Sequence, residues 1–383
     1  MNGTAGGIRA TLILALMGWF AAGCAGVFFP PAGIGRPIAW SLLPGWSSAE
    51  ARPAEAWPAL KHNCRAMAGR DARWREICAE VALLPAEPDD ELARAFFETR
   101  FVPHEVRNEA GGLYGLITGY YEPLLLGSLT KTDRFRYPVY GLPPDLLVVD
   151  LGELYPELAG KRVRGRLEGR RVVPYFSRAE IEQGRLATSA PVLAWVDDPV
   201  ALFFLHIQGS GRIRLLDGRI LRVGYADQNG HPYVSIGRRL IEMGALAPEK
   251  VDLDAIRAWL AAHPEQAEAV LHSNPSYVFF TLRPDDLPGP LGSLGVPLLP
   301  QRAIAVDPAY VPLGSPVWLD TRLPGEERPY QRLVFAQDTG GAIKGAVRAD
   351  LFFGFGPEAE RLAGRMKQSG RLYVLLPAAR GSD

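Results

Sequence analysis

The chain has 383 residues, enough for two or three domains, and its Lys and Arg together equal its Asp and Glu at 42 each. That balance leaves no basic footprint for nucleic acid, so no nucleic-acid partner is expected. Glycine (41) and proline (33) are abundant, which favours many short strands joined by turns over a helical bundle.

At the N-terminus Arg9 precedes the apolar run ATLILALMGWFAA, residues 10–22. The run is shorter than the ~20 residues that span a bilayer, and it fits the apolar region of a secretory signal. Ala21, Ala22 and Gly23 stand directly before Cys24. Residues 1–23 are therefore expected to be a lipoprotein signal peptide, with Cys24 acylated after cleavage. A plain cleaved signal and an uncleaved anchor are the alternatives, since Ala21 stands where such signals usually have Leu. Ala25 follows the cysteine, in place of the Asp that often retains lipoproteins at the inner membrane. The expected location is the periplasm of a Gram-negative bacterium, with a lipid anchor in the outer membrane.

Residues 24–50, rich in Pro and Gly, read as a tether. Residues 51–100 read as helices, one opened by Asp89-Asp90 with Leu92 and Phe96 at i,i+4. Leu60, Cys64 and Met67 share one helical face and Trp74, Cys78 and Val81 another, with AGRD (68–71) as the turn between. Export makes a Cys64–Cys78 disulfide the expectation, two buried free thiols being the alternative. From about residue 112 the pattern changes to short apolar runs, among them LYGLITGYYEP, RYPVYGLP, VLAWVDDP and ALFFLHIQGSG, all read as strands. SIGRRLIEMGAL and LDAIRAWLAAHPEQAEAVL return to helical spacing. RAIAVDPAYVPLGSPVWLD, RLVFAQDTGG and RLYVLLP read as strands, with a helix over 357–368 opened by Pro357. The fold class expected is mainly β with helical additions, a barrel rather than a doubly wound sheet.

The stretch FAQDTGGAIKGAVRADLFFG, residues 335–354, places Asp338 before three glycines and Asp350 after them. A phosphate-binding loop is excluded, because Lys344 precedes Gly345 and no hydroxyl residue follows. An aspartic protease needs a second such motif, and LDTR at 319–322 lacks the glycine. The six histidines show no zinc spacing, and calcium would need denser oxygen ligands. No metal and no cofactor are expected. Glycan cleavage fits better, since it needs a carboxylic acid held protonated in a partly apolar setting, and Asp350 is followed by Leu351, Phe352 and Phe353. Spacing alone leaves the ordinary alternative open, that both aspartates simply form turns beside glycines.

Several stretches together, in order, resemble the membrane-bound lytic murein transglycosylase A family. They are TGYYEP (118–123), FFLHIQGSGRI (203–213), GYADQNGHPYVSIG (224–237), NPSYVFF (274–280), AVDPAYVPLGSPVWLD (305–320), and AQDTGGAIKG with RADLFFG (336–345, 348–354). The resemblance runs from about residue 112 to the C-terminus, and its last part is similar to the three-aspartate domain, with Asp307, Asp338 and Asp350 at the three positions. It implies a double-psi β-barrel with an inserted second β-rich domain and a glycan groove between them. The implied division is 51–122 and 274–383 for the first domain and 123–273 for the second.

The resemblance further implies Asp350 as catalytic acid/base, supported by Asp338 and Asp307. It implies Thr118, Tyr120, Tyr121, Gln208, Ser210, Gln337 and Lys344 as substrate-binding residues. The chain departs from some relatives in having Ala349, not an aromatic, before Asp350. The implied activity is non-hydrolytic cleavage of the bond between N-acetylmuramic acid and N-acetylglucosamine in peptidoglycan strands, giving 1,6-anhydro products. A peptidoglycan hydrolase (muramidase) and a non-catalytic peptidoglycan-binding lipoprotein are the alternatives.

Overall fold

The computed structural model describes residues 32–158, 161, 163–186 and 189–378, so the signal peptide and Cys24 lie outside the described residues. Strand β1 (Gly33–Pro37) pairs antiparallel with β2 (Phe101–Arg107). Between them lie α1 (Trp57–Met67), α2 (Ala72–Leu83) and α3 (Asp90–Arg100). Asp71 and Asp89 cap α2 and α3, accepting the Trp74 and Leu92 backbone N–H at 3.0 and 2.8 Å. A disulfide joins Cys64 of α1 to Cys78 of α2. The expected tether is corrected from residue 33 onward. Leu43 and Trp46 are buried with the helices, and the Trp46 indole N–H donates to Glu98 at 2.7 Å.

The chain then forms β3 (Gly115–Glu122) and β4 (Leu124–Ser128), separated by Pro123 alone. There follow β5 (Tyr137–Tyr140), β6 (Leu147–Val149), β7 (Val163–Glu168), β8 (Arg171–Val173), the short turn α4 (Arg178–Glu180) and β9 (Val192–Val196). Next come α5 (Pro199–Gln208), β10 (Ser210–Leu215), β11 (Ile220–Gln228), α6 (Ile236–Glu242), α7 (Leu253–Ala262), α8 (Pro264–His272) and β12 (Val278–Arg283). The C-terminal part adds β13 (Ala303–Val306), β14 (Pro316–Arg322), β15 (Pro329–Asp338), β16 (Arg348–Phe355), α9 (Pro357–Arg365) and β17 (Lys367–Pro377).

Eight strands make the first sheet in the order β1-β2-β17-β14-β15-β13-β16-β3. A further four-residue antiparallel ladder sets Lys367–Gly370 of β17 against Thr118–Gly115 of β3. The expected mainly β, double-psi β-barrel is corrected to a mixed α/β fold on an open strand order, β1 and β2 extending the sheet beside β17. Both faces of this sheet are covered, so its strands read as continuous apolar runs. Trp318, Leu333, Phe335, Tyr373 and Leu375 pack on the α1–α3 side. The alternate residues Val317, Leu319, Val334, Leu372 and Val374 pack on the side that also buries Ala359 and Ala363 of α9.

A second sheet, β12-β11-β10-β4-β9-β5, and a small third one, β6-β7-β8, are built entirely from residues 124–283. Because Val278–Arg283 pairs with β11, the insertion extends past the expected boundary at 273. ALFFLHIQ, expected as a strand, is helix α5. Asp198 caps it and Gly209 (φ 75°) ends it. Its apolar residues point two ways, Leu202 and Leu205 into the second sheet, Phe203 and Phe204 against α6–α8. A helix buried on two sides loses the polar stripe by which a helix is read. The last helix ends at Arg365, earlier than expected, because Lys367 already belongs to β17.

The Cys64–Cys78 bond closes a loop with sequence separation 14. Replacing both cysteines by alanine should lower unfolding stability by about 2–3 kcal/mol. Denaturant unfolding of the oxidised protein and the double variant checks this; equal midpoints would contradict it.

Candidate active site

The register of four adjacent strands assembles the site. Ala305 of β13 is paired on one side with Asp338 of β15 and on the other with Asp350 of β16. Asp350 is in turn paired with Thr118 of β3. Directly paired residues project to the same face of a sheet, so Asp338, Ala305, Asp350 and Thr118 form one row. Two strand spacings separate the aspartates, ~10 Å between Cα atoms.

The two carboxylates have different surroundings. Asp338 Oδ1 accepts three hydrogen bonds, from the Ser293 N–H, the Ser293 hydroxyl and the Thr339 N–H, each at 2.9 Å. Its Oδ2 accepts from the Tyr120 hydroxyl at 3.0 Å. Asp350 accepts one, from the Thr118 hydroxyl at 2.6 Å. Burial raises the Asp350 pKa from the ordinary 3.8 to about 6; the Thr118 bond and Arg348 pull it down, and the Asp338 charge adds to the rise. Burial also raises Asp338, against which its donors from Ser293, Thr339 and Tyr120 all act. Tyr120, packed on Phe352 at 5.1 Å between ring centroids, is held as a neutral phenol by burial and by both aspartates.

Asp307 is buried and binds backbone. Its Oδ2 accepts the Gly345 N–H at 3.0 Å and its Oδ1 the Ala309 N–H at 3.2 Å. It thus fastens the loop between β15 and β16 to the turn after β13. Gly345 sits at φ 107°, a conformation open to glycine and strained for other residues. Lys344, beside it, is exposed.

Gln208 and Ser210 flank Gly209, where α5 gives way to β10, and Gln208 Oε1 accepts the Tyr121 N–H at 3.0 Å. They stand where β3 leaves the first sheet. Two residues expected to bind substrate point elsewhere. Gln337 is fully buried, its amide donating to the Ala59 carbonyl and to Asn63 of α1, both at 3.3 Å. The irregularity in β13–β15 pairing between Ile304 and Ala305 sets it out of the Asp338 row. Tyr121 alternates with Tyr120 along β3, so its ring enters the core and its hydroxyl donates to Glu360 of α9 at 2.9 Å.

Two contributors were not expected. Arg348 stands two residues before Asp350 on one strand, a spacing visible in RAD. Ser293 lies in the turn-rich PGPLGSLG stretch, where no periodicity marks it. A contact brings it in: the Leu294 N–H donates to the Gln337 carbonyl at 3.0 Å, and a Cβ at Gly292 would stand 2.4 Å from that oxygen.

Comparison with known proteins identifies the family of the chain. Residues 116–281 match the family model described as the MltA specific insert domain, and residues 302–376 match the 3D domain. The chain is 34% identical over 279 residues to the membrane-bound lytic murein transglycosylase A of Escherichia coli (strain K12), covering 70% of this chain and 68% of that protein. The crystal structure of MltA from Neisseria gonorrhoeae in its monoclinic form is 38% identical, with a TM-score of 0.77 over 92% of this chain and 98% of that one. The crystal structure of E. coli MltA with bound chitohexaose is 27% identical, with a TM-score of 0.67 over 93% and 97%. The chain therefore belongs to the membrane-bound lytic murein transglycosylase A family.

Proposed function

We propose that Asp350 is the single acid/base of this chain, which acts as a lytic transglycosylase on peptidoglycan glycan strands. The reading rests on the unequal supply of donors to two carboxylates in one row. Protonated Asp350 donates to O4 of the departing N-acetylglucosamine as oxocarbenium character develops at C1 of N-acetylmuramic acid. The Asp350 carboxylate then takes the proton of the muramic acid C6 hydroxyl while that oxygen bonds to C1. The product is the 1,6-anhydro sugar, and Asp350 ends protonated, ready for another turn. The nucleophile belongs to the substrate, so its approach to C1 costs little further ordering.

Asp338 stays ionised and faces the positive charge developing at C1. A carboxylate offers about four acceptor positions. Ser293, Thr339 and Tyr120 together supply four donors, which makes Asp338 a poor base for activating water. This favours anhydro-ring closure over hydrolysis. Asp307 serves by holding the loop between the two strands, not by proton transfer.

The N-terminus completes the reading. Curated relatives carry the description membrane-bound, and among the described residues no helix is long and apolar enough to cross a membrane. We place the chain in the periplasm with acylated Cys24 in the inner leaflet of the outer membrane. Cys24→Ser should move the enzyme into the soluble periplasmic fraction, as fractionation and immunoblotting would show. A variant still wholly membrane-bound would refute the anchor.

Asp350→Asn keeps the shape and loses the proton. It should cut release of muropeptides from purified sacculi by at least ~10²–10⁴-fold, and Asp338→Asn by a smaller factor. Mass analysis of wild-type products should give anhydro sugars, one water lighter than hydrolysis products. A hydrolytic mass, or an active Asp350→Asn beside a dead Asp338→Asn, would overturn the assignment.

Thr118→Val should leave the active site intact in shape but remove a donor to ionised Asp350, so the carboxyl pKa rises further. The acid form is the active one, so the alkaline limb of kcat/KM should move above its wild-type position near pH 6. An unmoved or lowered limb would exclude Asp350 as the titrating acid.

A further inference from the structure

The small sheet β6-β7-β8 has its polarity reversed. Leu167 pairs with Val172, Leu147 with Gly165 and Val149 with Val163, so one face carries five aliphatic side chains. None of the five is buried, and Leu167, Val172 and Val163 are 62, 52 and 41% exposed. The opposite face carries Val148, Arg164, Arg166 and Val173; its two arginines turn to the body of the protein, while Val148 at the edge is exposed. Arg164 is buried, its Nε donating to Asp227 at 2.8 Å, and the Arg166 guanidinium lies 4.3 Å from the Phe176 ring centre. A sheet with one wet face ordinarily turns its aliphatic side inward. Here that side faces out.

The exposed charges are divided along this face: Asp150, Glu153 and Glu157 follow β6 at one end, and arginines crowd the β7–β8 end. Between residues 161 and 171 there is one carboxylate, Glu168, and it is bonded to Arg166. Lys161, Arg170 and Arg171 are exposed. Arg170 is the second residue of the two-residue turn between β7 and β8, and Arg171 opens β8 opposite Glu168, immediately before the Leu167–Val172 pair. Aliphatic side chains behind a cationic tip suit the boundary of an anionic bilayer, where apolar groups enter the acyl region and arginines meet phosphates. The described chain starts eight residues after Cys24, so its first residue stays within roughly 30 Å of the acyl attachment.

We propose that the outer face of the β6-β7-β8 sheet is a second membrane contact, docking on an anionic phospholipid surface. The use of the tether rests on acylation of Cys24; the exposed face and its charges do not. Two weak attachments, one acyl and one interfacial, fix the orientation of a lipoprotein that a single chain would leave free to rotate.

The test uses residues 25–383, which keep every described element and lack the acylated cysteine. Flotation should recover this protein with phosphatidylethanolamine–phosphatidylglycerol vesicles and not with phosphatidylcholine vesicles. Arg170→Gln with Arg171→Gln should weaken partitioning roughly 30-fold, and Leu167→Thr with Val172→Thr should abolish it. Both pairs lie outside the catalytic row and should leave release of soluble muropeptides unchanged. Absence of flotation, or flotation unaffected by either pair, overturns the proposal. So does a wild-type dimer that Leu167→Thr with Val172→Thr dissociates, since a second copy would then cover the face. Failure here leaves the Cys24 anchor standing, because the tested protein does not contain it.

Discussion

The pairing of Ala305 with an aspartate on each side is the constraint on which the site depends. β13 is four residues long, yet it runs parallel to β15 and antiparallel to β16. Only that mixed pairing brings together two carboxylates twelve positions apart in sequence without a hairpin between them. The intervening loop must leave β15, pass over the site and enter β16 in the opposite sense to β13. Asp307 and Gly345 hold that loop to the far end of β13 by one hydrogen bond. A one-residue slip in β16 would turn Asp350 to the other face and put Ala349 or Leu351 in its place.

The second sheet is tied to this row through β3. Thr118 supports Asp350, Tyr120 supports Asp338, and Glu122 at the end of the same strand is almost wholly buried. Arg212 of β10 donates to Glu122 at 3.1 Å, and Arg222 of β11 lies 3.8 Å away. The Arg212 guanidinium also lies 3.9 Å from the ring centre of Phe355, at the end of β16. A buried carboxylate stripped of such partners costs about 3–5 kcal/mol. The inserted strands are therefore coupled to the strands of the aspartate row through Glu122, four residues after Thr118 on β3.

Much of this was legible in the residues, and the failures have identifiable causes. Asp71, Asp89 and Pro357 mark helix starts because their chemistry is local. The terminal strands are legible because both of their faces are covered. Helix α5 was missed because it is apolar on two sides, and the segment before residue 50 because its Pro and Gly content hides Trp46 and Leu43. Asp338 and Asp350 stand out in sequence, but which of them keeps a proton depends on Ser293 and Tyr120, which arrive from 45 and 218 residues away. Gln337 and Tyr121 were assigned to substrate by motif; a strand irregularity and the alternation of β3 turn them inward. The pairing of β1 with β2, which extends the first sheet beside β17, is announced by no local pattern.

The crowded setting of the two carboxylates also reaches the folding equilibrium. Asp350 and Asp338 both bind protons more tightly when folded than their ordinary 3.8 would allow, Asp350 to about 6. Between those values the native chain holds more protons than the unfolded chain, so these groups favour folding most below about pH 4, and that contribution is lost as pH rises through about 6. At neutral pH an ionised pair in a shielded row works against the native state. The protein tolerates at its centre a charge arrangement that its surrounding strands must hold together, and mild acid relaxes that load.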